Sequence, residues 1–258
     1  MKCVIFCGGK GTRLFEETEF KPKPLVEIGG KPILWHIMKH YGNYGINDFI
    51  LPIGYKGEMI KRFFLEYHWR NNDFSINLKD NSIITYDNQS IEDWKITCVD
   101  TGIESKTALR LFRVKKFLEN EEIFCMTYGD GLSNINLTEL IAFHKKHKKL
   151  ITITCPHPRS KYGLIETNPD NLVINFQEKP ILHDVINGGF MVVNKEIFSY
   201  LTEKNEMIED VLIKIAAQNE VMAYHFNGFW HSMDTYQDFQ ELNHLWEKEK
   251  SWQIFMEK

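Results

Sequence analysis

The chain has 258 residues and a formal net charge of −4, with 43% hydrophobic and 13% aromatic residues. That apolar content is enough for one sizeable core and suits a single large α/β domain, and no run approaches the roughly 18 consecutive apolar residues of a membrane span. An acidic balance gives no overall pull towards nucleic acid, so any anion binding has to come from local placement. The first apolar run, residues 3–7, is too short for a signal-peptide core, and a soluble cytoplasmic protein is expected. Cys3, Cys7, Cys98, Cys125 and Cys155 lie in apolar strand-like runs without zinc-ligand spacing and read as buried thiols in a reducing compartment.

Residues 3–7 lack polar alternation, which suits a strand buried on both faces of a parallel sheet. The strand breaks into Gly8-Gly9-Lys10-Gly11-Thr12-Arg13. Three glycines in four positions let the chain approach a ligand with no Cβ in the way, and consecutive amides form a concavity suited to phosphate oxygens. Arg13 and Lys23 add fixed positive charge beside it. Two familiar glycine loops are excluded. The dinucleotide fingerprint needs a third glycine three places after Gly11, where Leu14 stands, and a P-loop needs a hydroxyl residue where Gly11 follows Lys10 and Pro32 follows Lys31.

Gly8-Gly9-x-Gly11-Thr12-Arg13 with Lys23-Pro24 downstream resembles the signature of nucleotidyltransferases that join sugar 1-phosphates to nucleoside triphosphates. The longer run from Pro22-Lys23-Pro24-Leu25-Val26-Glu27-Ile28 through Gly29-Gly30-Lys31-Pro32-Ile33-Leu34-Trp35-His36-Ile37-Met38 is similar to the glucose-1-phosphate cytidylyltransferase branch, and the likeness extends along nearly the whole chain. The resemblance implies that Phe6-Cys7-Gly8-Gly9-Lys10-Gly11-Thr12-Arg13 wraps the triphosphate, that Arg13 helps activate the reacting phosphates, and that Lys23 contacts phosphate.

Further along, apolar positions at helical spacing predict a helix from Ile33 through Tyr41, ended by Gly42 and Gly45. A strand over 48–53 and a helix over 58–67 follow, the start of a doubly wound sheet. Residues 74–93 read as irregular structure or small antiparallel strands, 95–99 as a strand and 107–118 as a helix. Ligands of open parallel sheets bind at the carboxyl ends of strands, so each such end matters. After the third strand, Thr101, Gly102, Ser105, Thr107 and Arg110 fit the cytidylyltransferase pattern, which implies nucleotide contacts from Thr101, Gly102, Ser105 and Arg110. Ala108 and Leu109 replace two glycines of that pattern and are expected to reshape the wall that reads the base.

The strand over 123–128 runs into Gly129-Asp130-Gly131. A carboxylate there is placed to hold hydrated Mg²⁺ against substrate phosphates, although Gly-Asp-Gly is also ordinary turn chemistry. The resemblance makes Asp130 a metal ligand and places Gly129 at the nucleotide. A helix over 137–147 ends in Lys145-Lys146-His147-Lys148-Lys149, where cations complement the helix dipole and need no nucleic acid. A strand over 150–155 precedes antiparallel segments at 162–166 and 172–177. Glu178-Lys179-Pro180, Asn187-Gly188-Gly189 and Gly163 resemble the family's sugar-phosphate contacts, with Lys179 on the phosphate and Glu178 accepting sugar hydroxyls. Helices near 196–201 and 207–218 and a strand over 221–226 come next. In Gly228-Phe229-Trp230-His231-Ser232-Met233-Asp234 the resemblance makes Asp234 the second metal ligand, with His231 a bystander. An amphipathic helix over 236–249, with Trp252 and Phe255 beyond it, should pack on the core or on a neighbouring subunit.

The expected fold is therefore α/β, a doubly wound, mostly parallel, Rossmann-like sheet with a small antiparallel sugar-binding part. Within one domain over 1–258, residues 1–155 would form the nucleotide-binding half, 156–234 the sugar-phosphate half and 235–258 a helical extension. The expected reaction transfers CMP from CTP to α-D-glucose 1-phosphate with Mg²⁺ as cofactor, in a homo-oligomer that binds neither nucleic acid nor membrane. The alternatives are the same reaction with UTP, dTTP or another sugar 1-phosphate, and a nucleotide-sugar sensor without turnover.

Overall fold

A computed structural model describes residues 1–86, 91–248 and 251–252. Seven strands form the central sheet: β1 (Lys2–Phe6), β2 (Asp48–Ile53), β3 (Lys95–Asp100), β4 (Ile123–Tyr128), β5 (Ile151–Pro156), β6 (Met191–Asn194) and β7 (Val221–Phe226). Their order across the sheet is β7-β5-β6-β4-β1-β2-β3. Strands β1, β2, β3 and β4 run parallel, as do β5 and β7, while β6 is antiparallel to both of its neighbours. The mostly parallel sheet matches the expected class. The antiparallel β6 does not follow from its sequence, because strand direction is set by which neighbour completes the ladder and leaves no local mark.

Alternation along β1 feeds two cores. Cys3, Ile5 and Cys7 pack on one face and Val4 and Phe6 on the other, each at most 8% exposed, so this strand is buried on both sides. The first core is covered by α1 (Ile33–Asn43) and by α2 (Gly57–Leu65), which contributes Ile60. The second is covered by α3 (Thr107–Arg113) and α5 (Ile208–Ala216). Helix α4 (Leu137–His147) begins on Asn136, whose side chain accepts from the Thr138 and Glu139 amides. Helix α6 (Tyr236–Lys248) returns to the first core, where Trp246, the buried Trp252 and His36 pack ring to ring. Glu249 and Phe255, which belong to the expected C-terminal segment, lie outside the described residues.

Several boundaries differ from expectation. Helix α1 runs through Gly42 to Asn43, and only Gly45, at φ 75°, lies past its end. The helix expected over 58–67 stops at Leu65 and a separate turn of helix occupies Tyr67–Asn71. The one expected over 107–118 breaks at Val114 into a 3-10 turn, Lys115–Phe117. Residues 74–86 do form antiparallel strands, a hairpin of Asp73–Asn77 with Ser82–Tyr86. All five cysteines are free thiols, four of them buried, and no helix among the described residues is long and apolar enough to cross a membrane.

Candidate active site

In the strand order the sequence direction reverses between β1 and β4, so the loops leaving their carboxyl ends diverge and open a crevice. The two loops are the glycine-rich segment after β1 and Gly129-Asp130-Gly131 after β4. At the base of the crevice the end of β1 and the start of the second loop lie so close that a Cβ on Gly129 would lie 2.7 Å from the Phe6 carbonyl oxygen. A cavity of about 480 Å³ opens there, walled by Gly9, Gly11, Thr12, Arg13 and Lys23 on one side and by Tyr128, Gly129, Asp130, Asn187 and Asp234 on the other. Among the described residues, the amides of Gly9, Lys10 and Gly11 donate to no main-chain carbonyl and remain available to an anion.

A short antiparallel ribbon brings the two aspartates together. Gly131–Ser133 pairs with Trp230–Ser232, which fixes Asp130 at the entrance of one strand and Asp234 just past the end of the other. The Lys23 ammonium sits between them, donating to Asp130 Oδ2 at 2.8 Å and to Asp234 Oδ1 at 2.9 Å. Arg13 reaches the same Asp234 oxygen at 2.8 Å, and Ser232 Oγ donates to Oδ2 at 3.1 Å. Burial by itself would raise the Asp234 pKa, but the Lys23 and Arg13 cations and the Ser232 hydroxyl hold it below the ordinary carboxylate range. Two carboxylates thus converge on one cationic position.

This donor set suits a hard divalent cation. Carboxylate oxygens are its preferred ligands, and two of them already share a positive charge at hydrogen-bond distance. Among the described residues no group of three or more His, Cys, Asp or Glu side chains could cage an ion. Two carboxylates completed by phosphate oxygens is the arrangement typical of Mg²⁺.

The remaining expected residues divide. Asn187 and Gly188 reach the cavity wall, whereas Gly163, Glu178 and Lys179 do not. Those three flank the open end of the exposed hairpin of Leu164–Thr167 and Val173–Gln177, where a Cβ on Gly163 would lie 3.1 Å from Glu178 Oε2. Lys10 is turned outward and pairs with Glu104 at 2.7 Å.

Arg110, only 3% exposed, lies beneath the glycine loop. It donates to the Gly8 carbonyl at 2.8 Å, the Thr101 hydroxyl at 2.7 Å and the Ile53 carbonyl at 3.1 Å. A Cβ on Gly8 would lie 2.1 Å from its Nη1, so the glycine is what lets the guanidinium pass. Thr101, Gly102 and Ser105 likewise stay outside the cavity wall, with Arg113 donating to the Thr101 carbonyl and to Ser105 Oγ. The side chains of Ala108 and Leu109 are 3% and 5% exposed, and neither lines the cavity. Thr107 does line it, so the two substitutions expected to reshape the wall are absorbed by the interior.

Other groups at the cavity escaped the sequence reading. The Tyr128 hydroxyl donates to Glu209 Oε1 at 2.5 Å, and burial first, then this bond, raises the phenol pKa. Trp230 Nε1 donates to the Gly188 carbonyl at 2.7 Å, which pins the Asn187-Gly188-Gly189 turn. Trp230 stands 42 residues from Gly188 in the sequence, so nothing local announced the contact. His231 points away, towards Glu241 at 3.6 Å. Cys7 lines the cavity, yet burial and neighbouring Cys98 and Asp130 push its thiol well above the usual range, so it supplies no thiolate.

Comparison with known proteins gives a consistent outcome. Residues 2–249 match the family model described as nucleotidyl transferase. Glucose-1-phosphate cytidylyltransferase of Salmonella typhimurium (strain LT2) is 43% identical over 253 residues, 97% of this chain and 98% of that protein. The Salmonella typhi protein of the same name gives the same figures, 43% over 253 residues with 97% and 98% covered. Among solved structures, a UDP-glucose pyrophosphorylase complexed with UDP-glucose superimposes with a TM-score of 0.67 at 18% identity, covering 96% of this chain and 98% of that one.

Proposed function

The chain belongs to the nucleotidyl transferase family, and from that premise we propose that it transfers CMP from CTP to α-D-glucose 1-phosphate, giving CDP-glucose and diphosphate. What carries the reading is the 43% identity along nearly the full length of two proteins named for that reaction. The inward packing of Ala108 and Leu109 supports the choice of base, since neither side chain intrudes on the cavity. One structural unit holds both halves of the site: 1–155 supply the glycine loop, Lys23 and Asp130, and 156–234 supply Asn187 and Asp234.

The sugar phosphate is already an anion, so no protein nucleophile or general base is required and catalysis reduces to positioning and charge neutralisation. A phosphate oxygen of the sugar phosphate attacks the α-phosphorus in line, and the bond from that phosphorus to the bridging oxygen of the leaving diphosphate breaks. The free amides of Gly9, Lys10 and Gly11 cradle the triphosphate. Arg13 and Lys23 neutralise charge on the reacting and leaving phosphates once they exchange Asp234 and Asp130 for ligand oxygens. Asp130 and Asp234 would hold Mg²⁺, which would supply further charge neutralisation to the phosphates. Asn187, fixed by its own Oδ1 accepting the Gly189 amide at 2.9 Å, faces the sugar. Lys179 and Glu178, which lie off the cavity wall, are the residues that the family resemblance assigns to the acceptor phosphate and the sugar hydroxyls.

Five free cysteines support a cytoplasmic location. Exposed apolar residues on that hairpin, among them Ile165, Ile174 and Phe176, support a homo-oligomer, which light scattering of the purified protein tests directly. The reaction is tested by diphosphate release with Mg²⁺, glucose 1-phosphate and each of CTP, UTP, dTTP, ATP and GTP. Release with CTP alone and a CDP-glucose product is the expected result. Release with UTP or dTTP in place of CTP would overturn the choice of base, and CTP binding without any release would favour a sensor.

A further inference from the structure

A second cavity, of about 410 Å³, is separate in its lining from the first and has a different chemistry. Its wall carries Lys21, Lys31, Arg62 and Arg70, together with the rings of Phe63 and Tyr67. The cations are only partly answered. Lys21 has Glu27 at a loose 3.7 Å, while Arg62 at 3.4 Å and Arg70 at 2.6 Å share the single carboxylate of Glu66. The Lys31 ammonium contacts the neutral Asn71 Oδ1 at 2.9 Å and, among the described residues, pairs with no carboxylate. Four cations therefore face two carboxylates, in a chain whose overall charge is −4.

A concave wall with surplus charge of one sign concentrates ligands of the other, and arginine forks spaced around it favour phosphate. The rings add a flat apolar surface. The Tyr67 hydroxyl is already engaged by Trp35 at 2.9 Å and Glu92 at 2.7 Å, so a ligand meets its ring. The volume approaches that of the catalytic cavity, about 480 Å³, and is too small for a folded partner. From these features we infer that the cavity is a second binding site, for a nucleoside polyphosphate, with phosphates on the cations and the base on Phe63 and Tyr67.

The two cavities share one segment. Lys21 and Leu25 line the second while Lys23 and Pro24 line the first, and the 3-10 turn Lys23–Leu25 joins the residues of the two walls. A phosphate that draws in Lys21 acts two residues from the ammonium between Asp130 and Asp234. Occupancy of the second cavity thereby changes the affinity of the first.

ATP is the probe, titrated calorimetrically without divalent metal or sugar phosphate into the full chain and into the Lys31→Ala/Arg62→Ala double variant. The single Arg62→Ala variant is a second comparison, and circular dichroism verifies each fold. The expected result is ATP binding to the wild-type chain that weakens at least tenfold in the double variant and falls between the two in the single one. ATP should also change the KM for CTP at least threefold in the wild-type chain and not in the double variant, whose basal turnover stays within about twofold of wild type. Absent ATP binding, or equal affinity in wild-type and double-variant chains, overturns the second site. The kinetic arm rests on the CTP reaction proposed above and the calorimetric arm does not, so wild-type inactivity without ATP counts against that reaction alone.

Discussion

Replacing Lys23 by methionine removes the ammonium between Asp130 and Asp234 while keeping the aliphatic stem. Two charge-assisted hydrogen bonds are lost, each worth about 1.5–3 kcal/mol in a sheltered setting. The carboxylates are 30% and 20% exposed, so water screens part of that, and about 1 kcal/mol each, or about 2 kcal/mol in all, is the reasonable magnitude. For a chain of this size that lowers Tm by about 4–8 °C. The same change leaves two carboxylates facing a vacated cationic position. At 10 mM Mg²⁺ and a Kd on the order of 1 mM, binding restores about 1.4 kcal/mol. In the wild-type chain the lysine competes for that position and the ion shifts Tm far less. The assay is thermal unfolding of both proteins in EDTA and in Mg²⁺, with turnover measured alongside and expected to fall in the variant by at least about 100-fold. An unchanged Tm in EDTA, or equal Mg²⁺ shifts in the two proteins, would refute the idea that lysine and metal compete for one position.

Asp130→Asn should keep the fold and lose turnover by about 100-fold to 1000-fold, and near-normal Mg²⁺-dependent diphosphate release would remove Asp130 from the metal role. Gly8→Ala sets a methyl against the fixed Arg110 guanidinium and should cost about 1–3 kcal/mol in denaturant unfolding. Combining it with Arg110→Ala should cost less than the sum of the two, and strict additivity would show that the contact does not limit that position. Burial lowers His36 and His40 to a pKa of about 4 against an ordinary 6.5. The unfolded chain binds more protons between those values, so stability falls as pH drops from 6.5 towards 4, by at most about 3 kcal/mol per histidine. A flat unfolding free energy across that window would show the two rings to be solvated.

The legible parts of the fold are those whose cause is local. An apolar run without alternation declares β1, and the glycines after it declare a loop at its carboxyl end. Asp130 stands out because a charge between two glycines ends a buried strand. The direction of β6 was hidden because its sequence, Met191-Val192-Val193-Asn194, would serve equally well in a parallel ladder. The ribbon joining Gly131–Ser133 to Trp230–Ser232 was hidden because three-residue strands carry no periodicity. Arg110 could be read from its motif as a residue near the ligand. That its guanidinium fills the space under Gly8 depends on the missing Cβ of one residue and the depth of another, 102 positions apart.

The Lys23 contacts span 107 residues to Asp130 and 211 to Asp234. Closing such loops is entropically costly and yields little until most of the sheet stands, so these contacts are expected to form late in folding. A chain refolding from denaturant should acquire its secondary structure before its power to hold ligand, and a lag between those two signals in stopped-flow refolding would time the arrival of the second aspartate. Ligand affinity is thus a certificate of completed assembly: a half-folded chain, however much helix and sheet it contains, has no place to keep a triphosphate.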